Sequence, residues 1–369
     1  MITTALDLIY LVGCAVNDAE PDTSRLEKMN LEAVYKLSKK HFLSAASCMA
    51  VEHCRNINPE LLQRWQETKN KAIRKNLLLD SNRNKLTEFM NKSGIWYLPL
   101  KGIILKDFYP QMGMRQMSDN DILFDENYRE IVRNWFKDSG YTVESYGKSN
   151  HDVYQKPPVF NYEMHISLFT ESHNDIWKEY YQNVKERLVK SADNTQKYCF
   201  TNSDFYVYIV LHSFKHYDNS GTGLRSLLDL YVYLKANGES LDFEYIEREC
   251  DKLQILEFEK LCRDLCLKLF EPNAEKLTEG ELKELEYFIG SGTYGTLENQ
   301  ICRKLKTKSR LQYVCGRLFL NDAQLKANYP FFHKYKILLP ILCVYRAGRA
   351  ITISRKRVFR EVLLISRSK

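Results

Sequence analysis

The sequence predicts an α+β fold, a small mixed sheet embedded between N-terminal and C-terminal helical regions. Three observations predict it. Apolar residues recur at helical spacing on both sides of a central segment, and that segment alternates β-prone runs with one helical stretch. The composition, 44% apolar and 27% charged with only 15 Gly and 9 Pro, fits a folded chain rich in helix. At 369 residues the chain exceeds one typical domain. We expect an N-terminal helical region over 1–93, an α/β core over 94–170, a helical domain over 200–330 and a basic amphipathic tail over 331–369.

The first region carries apolar positions at helical spacing in Leu26, Met29, Leu31, Val34 and Leu37, and again from Leu61 through Leu86 to Met90. Ser93-Gly94 ends it. The run Ile95-Trp96-Tyr97-Leu98-Pro99-Leu100 then reads as a short strand, followed by Lys101-Gly102 and a short helix to Tyr109. Met117–Phe124 is a second strand. Glu126–Ser139 is a helix closed by Gly140, a residue suited to the turn after a helix end. Three more β-prone runs follow at Tyr141–Tyr146, Asp152–Gln155 and Val159–Leu168. Beyond Ser203 the helical spacing returns in Phe205–Tyr217, Leu224–Leu234, Phe243–Leu253 and Leu256–Leu269, and Thr278 with Glu281 has capping-box spacing.

Ten cysteines lie scattered without a CxxC pair, which we read as reduced, mostly buried thiols of a cytosolic protein. Met1–Asp18 has an apolar run but no basic lead and no small-residue cleavage pattern, so an amphipathic helix is the expectation rather than a signal peptide. No stretch reaches the roughly 20 apolar residues that span a bilayer. The net charge of +7 is uneven: Phe331–Lys369 holds ten Lys/Arg against the single acid Glu361, a net of +9, which leaves residues 1–330 at −2. The body is therefore not a broad nucleic-acid surface, and a long nucleic acid is disfavoured as partner. The tail, with Arg346, Arg349, Arg355, Lys356, Arg357 and Arg360 among apolar residues, admits a packed helix with solvated arginines, an anionic membrane surface, or RNA.

Most of the chemistry sits in Arg115-Gln116-Met117-Ser118-Asp119-Asn120-Asp121. On a strand, residues two apart share a face about 6.5–7 Å apart along the chain, so Asp119 and Asp121 would aim at one point. Two like charges side by side are costly unless a cation lies between them, and Mg2+ (or Mn2+) is the natural one. Glu163, with His165 on the same face of the last strand, completes a three-carboxylate cluster if that strand lies beside the first. Such a cluster can serve an attacking hydroxyl, and Glu163 could take its proton. His165 either orients this cluster or is a hydrogen-bonded buried histidine.

These residues resemble the bacterial nucleotidyltransferase-like family of the DNA polymerase beta-type superfamily. The resemblance rests on Leu100-Lys101-Gly102 with Leu105 and Tyr109-Pro110, then Arg115, Ser118-Asp119, Asp121, Gly140-Tyr141, Glu163 and His165. It extends to Leu211-His212 with Lys215-His216, Gly223-Leu224-Arg225 and Leu228-Asp229, covering about residues 85–235 with specific motifs. It implies a mixed sheet of five strands or fewer, with a metal held by the two aspartates and the later acid. Its implied reaction moves a nucleoside monophosphate from a nucleoside triphosphate such as ATP to an acceptor hydroxyl of a small molecule, sugar, peptide or protein. Lys101-Gly102 departs from the Gly-Ser pair with which better-known relatives hold the triphosphate. Lysine can still meet phosphate as a point charge and glycine permits close backbone approach.

Arg115 is read as a second phosphate ligand, against the alternative of a surface salt bridge. Ser118, Lys215 and Arg225 complete the nucleotide-binding candidates, and His212 and Asp229 are auxiliary ones. His212 and His216 have zinc-compatible spacing but no third ligand, and packing of one in the helical core is the better reading. Arg225 and Asp229, four apart, suggest an intrahelical ion pair. Gly290-Ser291-Gly292-Thr293-Tyr294-Gly295 matches a dinucleotide fingerprint only formally, because a helical pattern precedes it. The rival to an enzyme is a non-catalytic nucleotide-binding or scaffold protein that keeps the fold. Either one is expected in the cytoplasm, with the tail offering a peripheral contact at the inner membrane surface.

Overall fold

The structure, a computed structural model, describes residues 2–54, 57–170, 173–193, 195–272, 276–293, 295–307, 309–320, 322, 325, 329–353, 359–361 and 363–365. Arg355, Lys356 and Arg357 of the tail lie outside the described residues. The chain divides into two compact units, Met1–Phe214 with Gly223–Thr293, and Lys215–Thr222 with Tyr294–Lys369.

In the first unit α1 (Ile2–Val16), α2 (Thr23–Leu26), α3 (Leu31–Lys40) and α4 (Ser44–Val51) lead into α5 (Pro59–Lys92). The Asn58 side chain caps α5 by accepting from the Glu60 and Leu61 amides, and Pro59 starts the helix where a missing N–H costs nothing. Its 34 residues run for about 50 Å, at 1.5 Å per residue, so it reaches past the helical layer to the sheet. Leu79, Leu86 and Met90 on that far end are buried against the sheet core.

The sheet has the order β1-β2-β5-β4-β3, from β1 (Tyr97–Pro99), β2 (Asn120–Phe124), β3 (Thr142–Ser145), β4 (His151–Lys156) and β5 (Phe160–His165). β2 and β5 run parallel while the other neighbours are antiparallel, so the sheet is mixed and the fold is α+β as expected. Short α6 (Gly102–Leu105) follows β1, and α7 (Arg129–Asp138) bridges β2 to β3. One sheet face is apolar. Ile122, Phe124, Tyr154, Tyr162 and Met164 pack there with Val132 and Phe136 of α7, and the Phe136 ring stacks on Tyr154 at 4.1 Å. Asp152 joins this side fully buried, neutralised by a two-pronged contact with Arg129 at 2.7 Å on each prong.

After α8 (Asp175–Tyr180) and the small hairpin of β6 (Val189–Lys190) and β7 (Tyr198–Cys199), helices return: α9 (Asn202–Asn219), α10 (Leu224–Asn237), α11 (Phe243–Lys252), α12 (Leu256–Phe270) and α13 (Glu279–Ser291). Thr278 and Glu281 form the expected capping box. Gly290 and Ser291 belong to the end of α13 and Gly292 turns the chain at φ +60°, so the glycine-rich run follows a helix, without the strand a dinucleotide fingerprint needs. The cysteines are free thiols.

The second unit contains α14 (Leu297–Thr307), α15 (Arg310–Leu318), α16 (Pro330–Lys334) and α17 (Leu339–Ile353). Phe331, Ile337, Ile341 and Val344 are exposed there. Among the described residues no helix is long and apolar enough to cross a membrane.

Candidate active site

The face of the sheet opposite the apolar core carries a row of polar side chains. Because β2 and β5 pair in parallel register, Asp121 stands beside Glu163 and Leu123 beside His165. Antiparallel pairing of β4 sets His151 directly across from His165. Side chains on neighbouring paired positions share a face, so Asp121, Glu163, His165 and His151 converge. Strand β2 is buried along its whole length, which puts the Asp121 carboxylate at the sheet centre with only 9% of its side chain exposed.

Asp119 sits one residue before β2 rather than on it. The strand begins at Asn120, whose buried amide donates to the Leu79 carbonyl and accepts from Arg83, both on α5. Asp119 is half-buried, accepts from the Ser118 hydroxyl at 2.9 Å, and lies close enough to Asp121 for their charges to interact. The two aspartates thus stay within electrostatic reach of each other although the strand is shorter than the sequence pattern suggests.

Lys101 reaches the same point from the turn after β1. Its backbone adopts φ +44°, a region that non-glycine residues avoid and that costs of order 1–3 kcal/mol. The conformation delivers its ammonium to Asp121 Oδ1 at 2.9 Å, while His165 Nε2 approaches the same oxygen at 3.0 Å. Gly102 has a packing role here. A Cβ there would stand 2.4 Å from Arg115 Nη1, so the absent side chain is what lets that guanidinium lie against the turn.

The titrations follow from this crowding. Burial alone would raise the Asp121 carboxyl, but Lys101 and His165 hold it well below the usual carboxylate range. Asp119 is raised by burial and by the Asp121 charge. Glu163 is pushed up to about 8, first by burial and then by Asp121. His165 is pulled down to about 4, chiefly by burial, and is neutral at physiological pH. Glu163 is buried beside the charged Asp121, so near pH 7 it retains a proton that relieves the local excess of negative charge. A divalent cation would take over that task; among the described residues the donor atoms that lie within 4.8 Å of one another are those of His151, Glu163 and His165, with Asp121 hydrogen-bonded to His165, and these donors fit such an ion.

Arg115, expected at a phosphate or in a surface salt bridge, makes a buried ion pair rather than a surface one. It is buried, with Nε and Nη2 donating to the two oxygens of Asp229 on α10 at 2.7 and 3.0 Å. Tyr109 adds a third donor to Asp229 at 2.8 Å. Asp229 is thus taken up by Arg115 and Tyr109, which corrects the expected pairing within α10. Arg225 instead donates to the Gln116 carbonyl at 3.3 Å, lies over the Phe42 ring, and lowers the titration of Asp119 by its charge.

Two further residues had no sequence signal. Lys75 of α5 donates to the Ser118 carbonyl at 3.0 Å and interacts electrostatically with Asp119. Tyr208 of α9 is buried where it feels Lys101, Asp121 and Glu163, with burial raising its hydroxyl well above the ordinary tyrosine range. His212 is half-buried one turn on, its ring 6.3 Å from Tyr208. Lys215 is half-buried and His216 exposed at the end of α9, in the second unit.

An α+β core with acids of adjacent strands gathered on one sheet face is built to handle charged groups. The family profile described as "Uncharacterised nucleotidyltransferase" matches residues 27–271, well over half of the chain. The chain belongs to that family. A general nucleotidyltransferase role and a nucleotide substrate follow from membership. No curated protein and no solved structure matched the chain.

Proposed function

We propose that the chain moves a nucleoside monophosphate from a nucleoside triphosphate to an acceptor hydroxyl, with Asp119, Asp121 and Glu163 holding Mg2+ or Mn2+. The observation that carries this reading is the register of β2 and β5, which sets Asp121 beside Glu163 with Lys101 on Asp121. When bound, the cation supplies charge to offset the triphosphate and to favour ionisation of the acceptor hydroxyl. In the transfer, the hydroxyl oxygen bonds to the α-phosphorus, the bond to the pyrophosphate oxygen breaks, and Glu163 takes the hydroxyl proton.

Lys101 steadies Asp121 and offers positive charge to a phosphate. Lys75, Arg225 and the Ser118 hydroxyl, all beside Asp119, are the other proposed nucleotide contacts, and Lys215 is a candidate from the sequence alone. Arg115 and Gly102 serve by position: the buried pair with Asp229 anchors the segment that leads to Asp119. His165 orients Asp121. The acceptor is a small molecule, sugar, peptide or protein, since the slightly acidic body disfavours a long nucleic acid.

The test is pyrophosphate release and thermal stabilisation with ATP and the other triphosphates, with and without Mg2+ or Mn2+. Stabilisation that needs both ligands and vanishes in Asp119→Asn and Asp121→Asn supports the enzyme. Stabilisation by nucleotide alone, unchanged in both variants, supports the non-catalytic scaffold. For the tail we propose a peripheral contact with an anionic membrane surface on the cytoplasmic side, supported by its +9 charge and by exposed Phe331, Ile337, Ile341 and Val344. Equal sedimentation with anionic liposomes of the full chain and of a chain ending at Pro330 would rule that out.

A further inference from the structure

The polar row on the sheet does not end at the carboxylates. His151 Nε2 lies 4.0 Å from Glu163 Oε2, and His165 Nε2 lies 3.7 Å from the same oxygen. One donor atom from each of these three residues falls within 4.8 Å of the others. Donors held about 2.1 Å from a four-coordinate ion stand about 3.4 Å apart. Closing on a cation therefore takes a contraction of about 0.3–0.6 Å at the two Glu163 contacts.

Backbone geometry rather than chance rotamers brings these side chains together. His151 and His165 are direct partners across β4 and β5, and Glu163 is two residues from His165 on the same face. Asn150 sets the tautomer of one ring. Its amide nitrogen donates to the Ser167 and Leu168 carbonyls, at 2.9 and 3.3 Å, which turns its oxygen toward His151 Nδ1 at 3.3 Å. With Nδ1–H donating to that oxygen, the lone pair of His151 Nε2 faces Glu163. A carbonyl acceptor behind a ring nitrogen is the usual support of a metal-binding histidine. Coordination through His165 Nε2 exchanges its Asp121 hydrogen bond for the cation and moves the ring proton to Nδ1, which lies 3.5 Å from the Asn150 amide nitrogen. Glu163 and His151 keep 29% and 27% of their side chains exposed, which leaves a path for an ion to enter.

We propose that His151, Glu163 and His165 form a nitrogen-containing cation position beside Asp119 and Asp121, one that takes a transition cation of the Fe2+-to-Zn2+ series in preference to Mg2+. Imidazole nitrogen favours that series, whereas Mg2+ takes oxygen donors and keeps its water. The inference rests on the reading that this cluster holds a divalent cation, and is independent of whether a nucleotide is transferred there.

The experiment uses the full chain without nucleotide, titrated with Co2+ and with Mg2+ by calorimetry and, for Co2+, by visible absorption. Co2+ is expected to bind at least about tenfold more tightly than Mg2+, with the strong absorption of a four- or five-coordinate site. His151→Ala, at a partly exposed position, should weaken Co2+ binding about tenfold or more and lose that absorption, while Mg2+ binding moves less than about threefold. Asp119→Asn should do the reverse, weakening Mg2+ more than Co2+. Circular dichroism and melting of both variants establish that they fold. Co2+ affinity and spectrum unchanged in His151→Ala, or wild-type binding no tighter for Co2+ than for Mg2+, would overturn the proposal. Failure of the transfer reaction itself is read separately, by pyrophosphate release with Mg2+.

Discussion

Removing Asp229 tests how the approach to the site is held. Its side chain is 12% exposed and that of Arg115 is 8%, and two hydrogen bonds of 2.7 and 3.0 Å join them. Unit charges about 4 Å apart attract by about 4 kcal/mol at an effective dielectric of 20. Truncating one member of a buried pair also strands the other charge, and such changes cost about 3–5 kcal/mol. Asp229→Ala further deprives Tyr109 of its acceptor. In a unit of this size a kcal/mol moves the melting temperature by about 2–4 °C, so a drop of roughly 10 °C is expected by calorimetry. The double variant Arg115→Met with Asp229→Leu, which leaves no orphan charge, should recover most of the loss. A drop of under about 2 °C, or additive losses in the double variant, would refute the reasoning.

Gly102→Ala places a methyl group 2.4 Å from Arg115 Nη1. It should cost about 1–3 kcal/mol in urea unfolding, and much less in a chain already lacking the Arg115 guanidinium; an equal cost in both would contradict the packing role. The Glu163 carboxyl, raised to about 8 by burial and the Asp121 charge, binds its proton more tightly folded than unfolded. Its contribution to stability is therefore complete below about pH 4.5 and is lost as pH rises through 8. In chelator, Glu163→Gln should match the wild type near pH 5 and exceed it at pH 8, and an identical difference at both values would show that the carboxyl is not strained by its neighbours.

Much of this site could be read before any coordinates. Alternation along β2 and β5 identifies Asp121, Glu163 and His165, because two-residue periodicity is fixed by strand geometry. Gly140 and the Thr278–Glu281 pair mark helix boundaries through local chemistry that the fold preserves. What the sequence hid depends on distance along the chain. Arg115 finds Asp229 across 114 positions, and spacing along one helix suggested Arg225 instead. Asp119 lies outside β2, and Asn120 at the strand's start is held by Arg83 and Leu79 of α5, packing contacts no local pattern encodes. His151 was legible in principle: counting back from His165 through the turn around Pro157-Pro158 gives the partner position, once β4 and β5 are treated as one hairpin. Lys75 carried no signal, since it lies on a helix far upstream where Lys69 and Lys71 pair with Glu52 and Glu67 instead.

The account depends on the acids of β2 and β5 gripping a cation where a triphosphate can meet it. Its most direct test is anomalous scattering from crystals grown with Mn2+ and a non-hydrolysable nucleoside triphosphate. A Mn2+ peak bounded by carboxylate oxygens of Asp119, Asp121 and Glu163, with the triphosphate against Lys101, is the expected result. Nucleotide bound elsewhere, with no Mn2+ among these three acids, would contradict it.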